Sequence, residues 1–271
     1  MNLKKIINYD NVIFRHLIFI LGETKACVFE KNYFTKNSNK YLSRFYLRLI
    51  KPYYMSVIYS FKKLLNYQIN NNFINSNGYK IFNEKIDISN LNFLKISVNS
   101  DNKVVKRHEI TDLNKAEKFA IKNNFHSIAK KILKVDKCKF FVAAWDTIPF
   151  TSYDDVKTTQ WHRDRDGYEV IKFFIHLSDV DENSGPHEYA QGSHILKPIK
   201  YVPQVRYRDH FIKKDYKIVK ILGEKGTCFV ADTTGLHRGT APKTKSRSML
   251  QFAYYTGPIF WDNKVKKIIL A

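Results

Sequence analysis

The segment Gln160-Trp161-His162-Arg163-Asp164 sets an imidazole and a carboxylate two residues apart. On an extended strand, residues i and i+2 face the same side. His162 and Asp164 can therefore present one nitrogen and one carboxylate oxygen to a common point. Asp166 lies beyond the turn expected there and is less able to join them. His-x-Asp alone is a short pattern that a chain with nine histidines can match by chance. A second imidazole raises its value. His237 follows a predicted strand and turn in Gly235-Leu236-His237-Arg238-Gly239-Thr240-Ala241-Pro242. Two imidazoles and one carboxylate on one face of a metal leave three positions open, the ligand set of non-haem Fe(II) oxygenases. Open positions let a co-substrate and O2 reach the same iron. Arg247 opens an apolar strand ten residues after His237. A guanidinium there can pair in bidentate fashion with a carboxylate, such as the far carboxylate of 2-oxoglutarate chelated to the iron. Gln160 shares the parity of His162 and could touch substrate or co-substrate. Lys172 could reach a carboxylate, or snorkel at a sheet edge. His176 shares the parity of Lys172 and reads as a satisfied core histidine. His187 reads as a turn residue and His194 as a loop residue shaping the site.

Such a cluster needs strands to carry it, and the chain changes its pattern accordingly. Up to about residue 80 it reads as irregular to helical. Residues 41–51 set Leu42, Phe45, Tyr46 and Leu49 on one helical face. Pro52 ends that helix or starts the next, and a second run covers 53–65. A basic amphipathic pair can lie on a membrane surface, although packing against its own domain is commoner. Residues 91–98 alternate as a strand. Asp112 caps a helix predicted to reach about Leu133, with Ala116, Phe119, Ala120, Phe125, Ile128, Ala129 and Ile132 as its apolar stripe. From 139 onward strands are predicted at 139–145, 170–177, 227–231 and 248–255, between turn clusters at 179–186, 192–193 and 223–226 and at Gly235 and Gly239. That spacing argues for an antiparallel sandwich or barrel. A helical front on a β core makes the class α+β. No Gly-, Ser- or Pro-rich linker divides the chain. One domain over 1–271 is expected, mainly helical over 1–135 and with a catalytic β core over 136–260.

Apolar residues make up 44% of the 271, and 17 Tyr, 20 Phe and 3 Trp are among them. This fills a core and excludes a disordered chain. The formal net charge is +21. Its distribution is uneven: 13 basic and 3 acidic groups lie in 1–80, 14 and 5 in 201–271, but 8 and 11 in 136–200. Basic flanks suit nucleic acid, anionic lipid or an anionic small molecule. Only ten of the basic residues are Arg, no RNA-binding signature is visible, and the segment with the candidate ligands is net negative. These features argue against nucleic acid. Nucleic-acid binding or modification stands as one alternative class, and a catalytically silent β-sandwich binding module as another. Cys27, Cys138 and Cys228 are odd in number and far apart, which suits a reducing compartment. No stretch of about 18 apolar residues without charge occurs. Residues 12–21 carry Arg15 and His16 and lack the small-residue cleavage site of a signal peptide. The expected location is the cytoplasm.

The run 145–255 resembles the phytanoyl-CoA dioxygenase family of Fe(II)/2-oxoglutarate oxygenases. The residues that carry the likeness are Gln160 through Asp164, the strand at 172–177, and Ser178-Asp179-Val180-Asp181-Glu182-Asn183-Ser184-Gly185-Pro186. They continue with Gly192-Ser193-His194, Gly223-Glu224-Lys225-Gly226, His237-Arg238-Gly239-Thr240 and Arg247. The first 90 residues are not covered. The resemblance implies a double-stranded β-helix, jelly-roll or cupin-like, with helices packed outside. It implies Fe(II) held by His162, Asp164 and His237, with 2-oxoglutarate as co-substrate anchored by Arg247. Members often carry Ser two residues after the distal His; here Gly239 stands in its place, with Thr240 as the candidate substitute. The implied reaction uses O2, forms succinate and CO2, and hydroxylates an unactivated C–H bond of a small metabolite. The basic flanks suggest an anionic group on that metabolite. Arg206, Arg208, Lys213 and Lys214 are candidates for its recognition, and the basic N-terminal region is a candidate for peripheral membrane contact.

Overall fold

The computed structural model describes residues 74, 77–96, 104–133, 138–150, 159–164, 170–195, 206–207, 209–255 and 267–269. The chain divides into two compact units, Met1–Gln68 with Leu196–Val205, and Ile69–Ile195 with Arg206–Ala271. Every described residue belongs to the second. The basic helices expected at 41–51 and 53–65, and the membrane contact suggested for them, lie outside the described residues.

Among the described residues, the second unit contains two antiparallel sheets, with helices beside them. The larger contains β1 (Tyr79–Ile81), β2 (Leu94–Lys95), β3 (Val105–Ile110), β4 (Cys138–Thr147), β6 (Val170–His176), β10 (Cys228–Asp232), β12 (Arg247–Tyr255) and β13 (Lys267–Ile269). Their order is β1-β10-β6-β12-β4-β3-β2, with β13 also on β4. The smaller is ordered β8 (Arg206–Tyr207), β5 (Trp161–His162), β11 (His237–Gly239), β7 (His187–Ala190) and β9 (Ile218–Ile221). The predicted strands appear as β4, β6, β10 and β12. The described part of 1–135 contributes β1 and β3, which pair with β10 and β4 of the β core, and β2, which pairs with β3, beside the helices that follow. Of the strand expected at 91–98, the described residues 91–96 pair only at Leu94–Lys95.

Strand β6 is buried along its whole length, and its alternation sorts two cores. Ile171, Phe173 and Ile175 join Phe252, Tyr254 and Phe140 in a core that also holds Ala116, Ala120, Phe125 and Ala129 from two helices. These are α1 (Leu113–Lys122) and α2 (Phe125–Leu133). Phe174 turns the other way and packs with Phe229, Met249, Tyr189 and Ile221, so the second core lies between the two sheets. Strands of period two force this division.

The single helix expected from Asp112 to Leu133 is two. Asp112 does cap the first, accepting from the Lys115 backbone N–H at 3.0 Å. Asn123 closes it by donating its side-chain amide to the Phe119 carbonyl at 2.8 Å. Asn124 then takes a left-handed conformation, φ 60°, which asparagine tolerates better than most residues. The break lets Phe125 stack on Phe173 with ring centroids 4.4 Å apart. A continuous helix would carry the stripe past the sheet. A third helix, α3 (Asp209–Asp215), follows β8. Among the described residues no helix is long and apolar enough to cross a membrane.

Candidate metal centre

The two imidazoles come from neighbouring strands of the smaller sheet. His162 on β5 and His237 on β11 are Cα partners. Directly opposed residues of an antiparallel pair share a face, and the ring centroids stand 4.4 Å apart. The intervening residues turn outward. Arg238 lies over the Trp161 ring at 4.8 Å and pairs with Glu188 and Asp209 on that outer side.

Asp164 follows the end of β5. Its backbone N–H donates to the Thr233 carbonyl at 2.8 Å, which returns its side chain to the inner face. Arg163 fixes the same corner, donating to the carbonyls of Ser193 and Thr234 at 2.6 and 2.9 Å. The turn before β11 is held in its own right. Asp232 accepts from Thr234 N–H and hydroxyl, Tyr189 donates its hydroxyl to the Asp232 carbonyl, and Ser193 Oγ accepts from Leu236 N–H.

Asp164 Oδ1 is 4.0 Å from His162 Nε2, and Oδ2 is 3.7 Å from His237 Nε2. One ligand atom from each of the three residues falls within 4.8 Å of the others. The tautomers follow from chemistry. His162 Nδ1 contacts the Gln160 carbonyl at 2.9 Å, and His237 Nδ1 contacts the Gly235 carbonyl at 3.0 Å. A carbonyl only accepts, so each Nδ1 carries the proton and each Nε2 offers a lone pair. Burial and the neighbouring His237 push His162 down to about 3. Burial also lowers His237, against the pull of Asp164. Both rings are thus neutral ligands at neutral pH. Burial alone would raise the Asp164 carboxyl, but the Lys172 ammonium against it holds it well below the usual carboxylate range.

Lys172 is where β6 parity puts it, on the inner face, with its Nζ 2.6 Å from Asp164 Oδ2. The contact is a buried ion pair at that oxygen. Gln160 serves His162 through its backbone carbonyl, and its side chain is half-buried. Thr240 is turned elsewhere: its hydroxyl and its N–H both donate to the Pro186 carbonyl, at 2.9 and 3.0 Å.

Arg247 is 6% exposed, and its Nε and Nη1 are buried without a hydrogen-bond partner among the described residues. Burial lowers its pKa to about 10, which still leaves it charged. A Cβ added to Gly239 would lie 2.5 Å from Arg247 Nη2 and 3.1 Å from Nη1. The guanidinium occupies the room a side chain at 239 would need.

The structure corrects the reading of one further histidine and bears out the burial of another. His187 is no turn residue. It opens β7, pairs with Gly239, and stacks on His237 at 5.5 Å with its Nε2 buried and unpartnered among the described residues. Burial drives its pKa well down, helped by His237 and Arg247. Pro186 in front of it makes the segment read as a turn. His176 is wholly buried at the end of β6, edge-on to Phe229 and within electrostatic range of Arg247. It is a core histidine, as its sequence position suggested. His194 lies in the turn after β7 and is buried.

No curated protein sequence matches this chain. Solved structures resemble it in fold. One is EctD from S. alaskensis with 2-oxoglutarate and 5-hydroxyectoine, at 14% identity and TM-score 0.50, covering 72% of this chain and 76% of that one. Another is the non-heme alpha ketoglutarate dependent carbocyclase SnoK from nogalamycin biosynthesis, at 14% identity and TM-score 0.49, covering 70% and 87%. A third is HygX from Streptomyces hygroscopicus with nickel and 2-oxoglutarate bound, at 14% identity and TM-score 0.49, covering 69% and 85%. The family model for phytanoyl-CoA dioxygenase (PhyH) matches residues 84–249. That span exceeds half of the chain and takes in the His162–Asp164–His237 cluster, Lys172 and Arg247, and the chain belongs to the phytanoyl-CoA dioxygenase family.

Proposed function

We propose that the protein is an Fe(II)- and 2-oxoglutarate-dependent oxygenase, built on a double-stranded β-helix, that hydroxylates an unactivated C–H bond of a small metabolite. The observation that carries this reading is the buried Arg247 guanidinium near the His-Asp-His cluster, whose Nε and Nη1 have no hydrogen-bond partner among the described residues. A buried charge without a counter-ion costs several kcal/mol. It is kept where a ligand supplies the missing anion. The distal carboxylate of 2-oxoglutarate has the geometry for a guanidinium fork, and the orphaned His187 Nε2 adds a second polar partner nearby.

The residues fit the metal as well. Two Nε2 lone pairs and an ionised carboxylate converge from one side, the donor set that leaves an iron open to a chelating co-substrate and O2. When bound, Fe(II) with 2-oxoglutarate supplies O2 activation coupled to decarboxylation, yielding succinate and CO2. The chain's own part is positional. Gln160 and Gly235 carbonyls fix the ring tautomers, and Lys172 keeps Asp164 ionised. Arg247 orients the co-substrate, and Phe174, Phe229 and Met249 keep the wall between the sheets dry. The carboxylate at Asp164 favours hydroxylation over halide transfer, because related halogenases open a halide position by lacking it.

An anaerobic titration with Fe(II) and 2-oxoglutarate tests the reading. A saturating visible charge-transfer band is expected. Folded, metal-bound protein that shows no band refutes it. A variant probes the departure at 239. Gly239→Ser should fold, because the colliding atoms end a flexible side chain, but it must displace the guanidinium. Its 2-oxoglutarate dissociation constant should rise about tenfold, the loss of one charge-assisted bond, as read from the same band.

A further inference from the structure

We propose that Arg206 anchors a carboxylate or phosphate group of the primary substrate, which makes that substrate an anion. The inference rests on the co-substrate reading above. Strand pairing carries it. Strand β5 lies between β8 and β11, and Cα partners run Arg206–His162–His237–Tyr189 across the smaller sheet. Directly opposed residues share a face. Arg206 therefore stands in the row that holds both imidazoles, next to His162 and on the side away from His237. Arg247 lies towards the other side, against Gly239, whose strand partner is His187. The two guanidiniums flank the cluster from opposite sides, so one 2-oxoglutarate anchored at Arg247 leaves Arg206 unanswered.

The electrostatics agree. Arg206 depresses the pKa of both His162 and His237 and is itself drawn up by Asp164, against the effect of its burial. Its Nη1 is buried and has no hydrogen-bond partner among the described residues. The described groups on this face are one carboxylate, Asp164, and three cations, Lys172, Arg206 and Arg247. Lys172 is matched by Asp164. Arg247 is matched by the distal carboxylate of the co-substrate. Arg206 keeps an uncompensated charge beside a divalent metal, and a planar guanidinium in that position pairs well with a carboxylate or a phosphate. A neutral substrate would leave this half-buried charge, whose Nη1 has no partner among the described residues, unanswered.

The test uses the full chain loaded with Co(II), which is stable in air and paramagnetic, and with 2-oxoglutarate. The probes are propanoate, inorganic phosphate and, as a neutral isostere, propanamide. Nuclear relaxation of each probe by the metal reports binding close to the centre. Propanoate or phosphate should show saturable enhancement and propanamide none. Arg206→Met should weaken the anion about ten- to a hundredfold, the loss of a charge-assisted pair. Arg206→Lys should retain part of it, and 2-oxoglutarate affinity should stay unchanged in both. Equal enhancement by propanamide, or an Arg206→Met variant that binds the anions as before, overturns the proposal. A parallel loss of 2-oxoglutarate affinity overturns it too, by assigning Arg206 to the co-substrate. If the wild-type protein binds Co(II) but not 2-oxoglutarate, the co-substrate reading falls and this inference falls with it. Binding of both without selection for the anion removes the role of Arg206 alone.

Discussion

Asp164→Ala should abolish succinate formation and the iron–2-oxoglutarate charge-transfer band, while the metal-free protein loses stability. The two effects share one cause. Asp164 is the anionic member of the cluster, and Lys172 lies against it at 2.6 Å. Without the carboxylate, a divalent metal would meet two neutral imidazoles and an unneutralised ammonium. Removing a ligand and exposing the metal to a like charge both act against binding. The fold suffers as well, because the Lys172 side chain is only 11% exposed. Removing one partner of a buried ion pair costs about 3–5 kcal/mol; residual solvation places this pair at the lower end. Denaturant unfolding of the apoprotein checks the second effect. Adding Lys172→Met should recover most of the stability and none of the succinate. Wild-type succinate yield from Asp164→Ala would refute the ligand assignment. Wild-type stability would show that the ion pair contributes nothing to the apoprotein.

Arg247→Leu should move the same two readouts in opposite directions. The 2-oxoglutarate dissociation constant should rise about a hundredfold or more, since truncating one side of a buried, hydrogen-bonded charge pair costs about 2–5 kcal/mol. The metal-free protein should become more stable by about 1–3 kcal/mol, because an unpaired buried cation is replaced by a packing apolar side chain. Metal binding without co-substrate should be unaffected, as Arg247 supplies none of the three ligand atoms. Titrations with Fe(II) alone and with Fe(II) plus 2-oxoglutarate separate these cases. Unchanged co-substrate affinity would remove Arg247 as the anchor. Lower apoprotein stability would mean that its charge is compensated without a ligand.

His162 and Asp164 were legible in the sequence because their relation is local. Two residues apart in a short extended run, they are set towards one face by their spacing, although Asp164 lies past the end of β5 and the bond from its N–H to the Thr233 carbonyl completes the placement. The alternation that sends Lys172, Phe174 and His176 to one side of β6, and Phe173 and Ile175 to the other, is local in the same sense. So is the N-cap at Asp112. Capping and periodicity depend on neighbours a few residues away, and the chain carries that information in order.

Tertiary structure decided what depends on register between distant strands. His162 and His237 are partners only because β5 pairs with β11. Pairing among strands of two to four residues also brings in Arg206 from β8 and His187 from β7. Strands so short carry too few alternations to be read from sequence, and the Pro186 before β7 suggests a turn instead. Long-range packing also broke the predicted helix at Asn124, since the gain from seating Phe125 on Phe173 appears only once β6 is in place. Which oxygen Lys172 meets, and which glycine leaves room for Arg247, likewise follow from side chains that are remote in sequence and adjacent in space. The sequence alone determined the chemical groups and their local facing; the paired sheets decided which of them share a centre, because burial and strand register are properties of the folded whole.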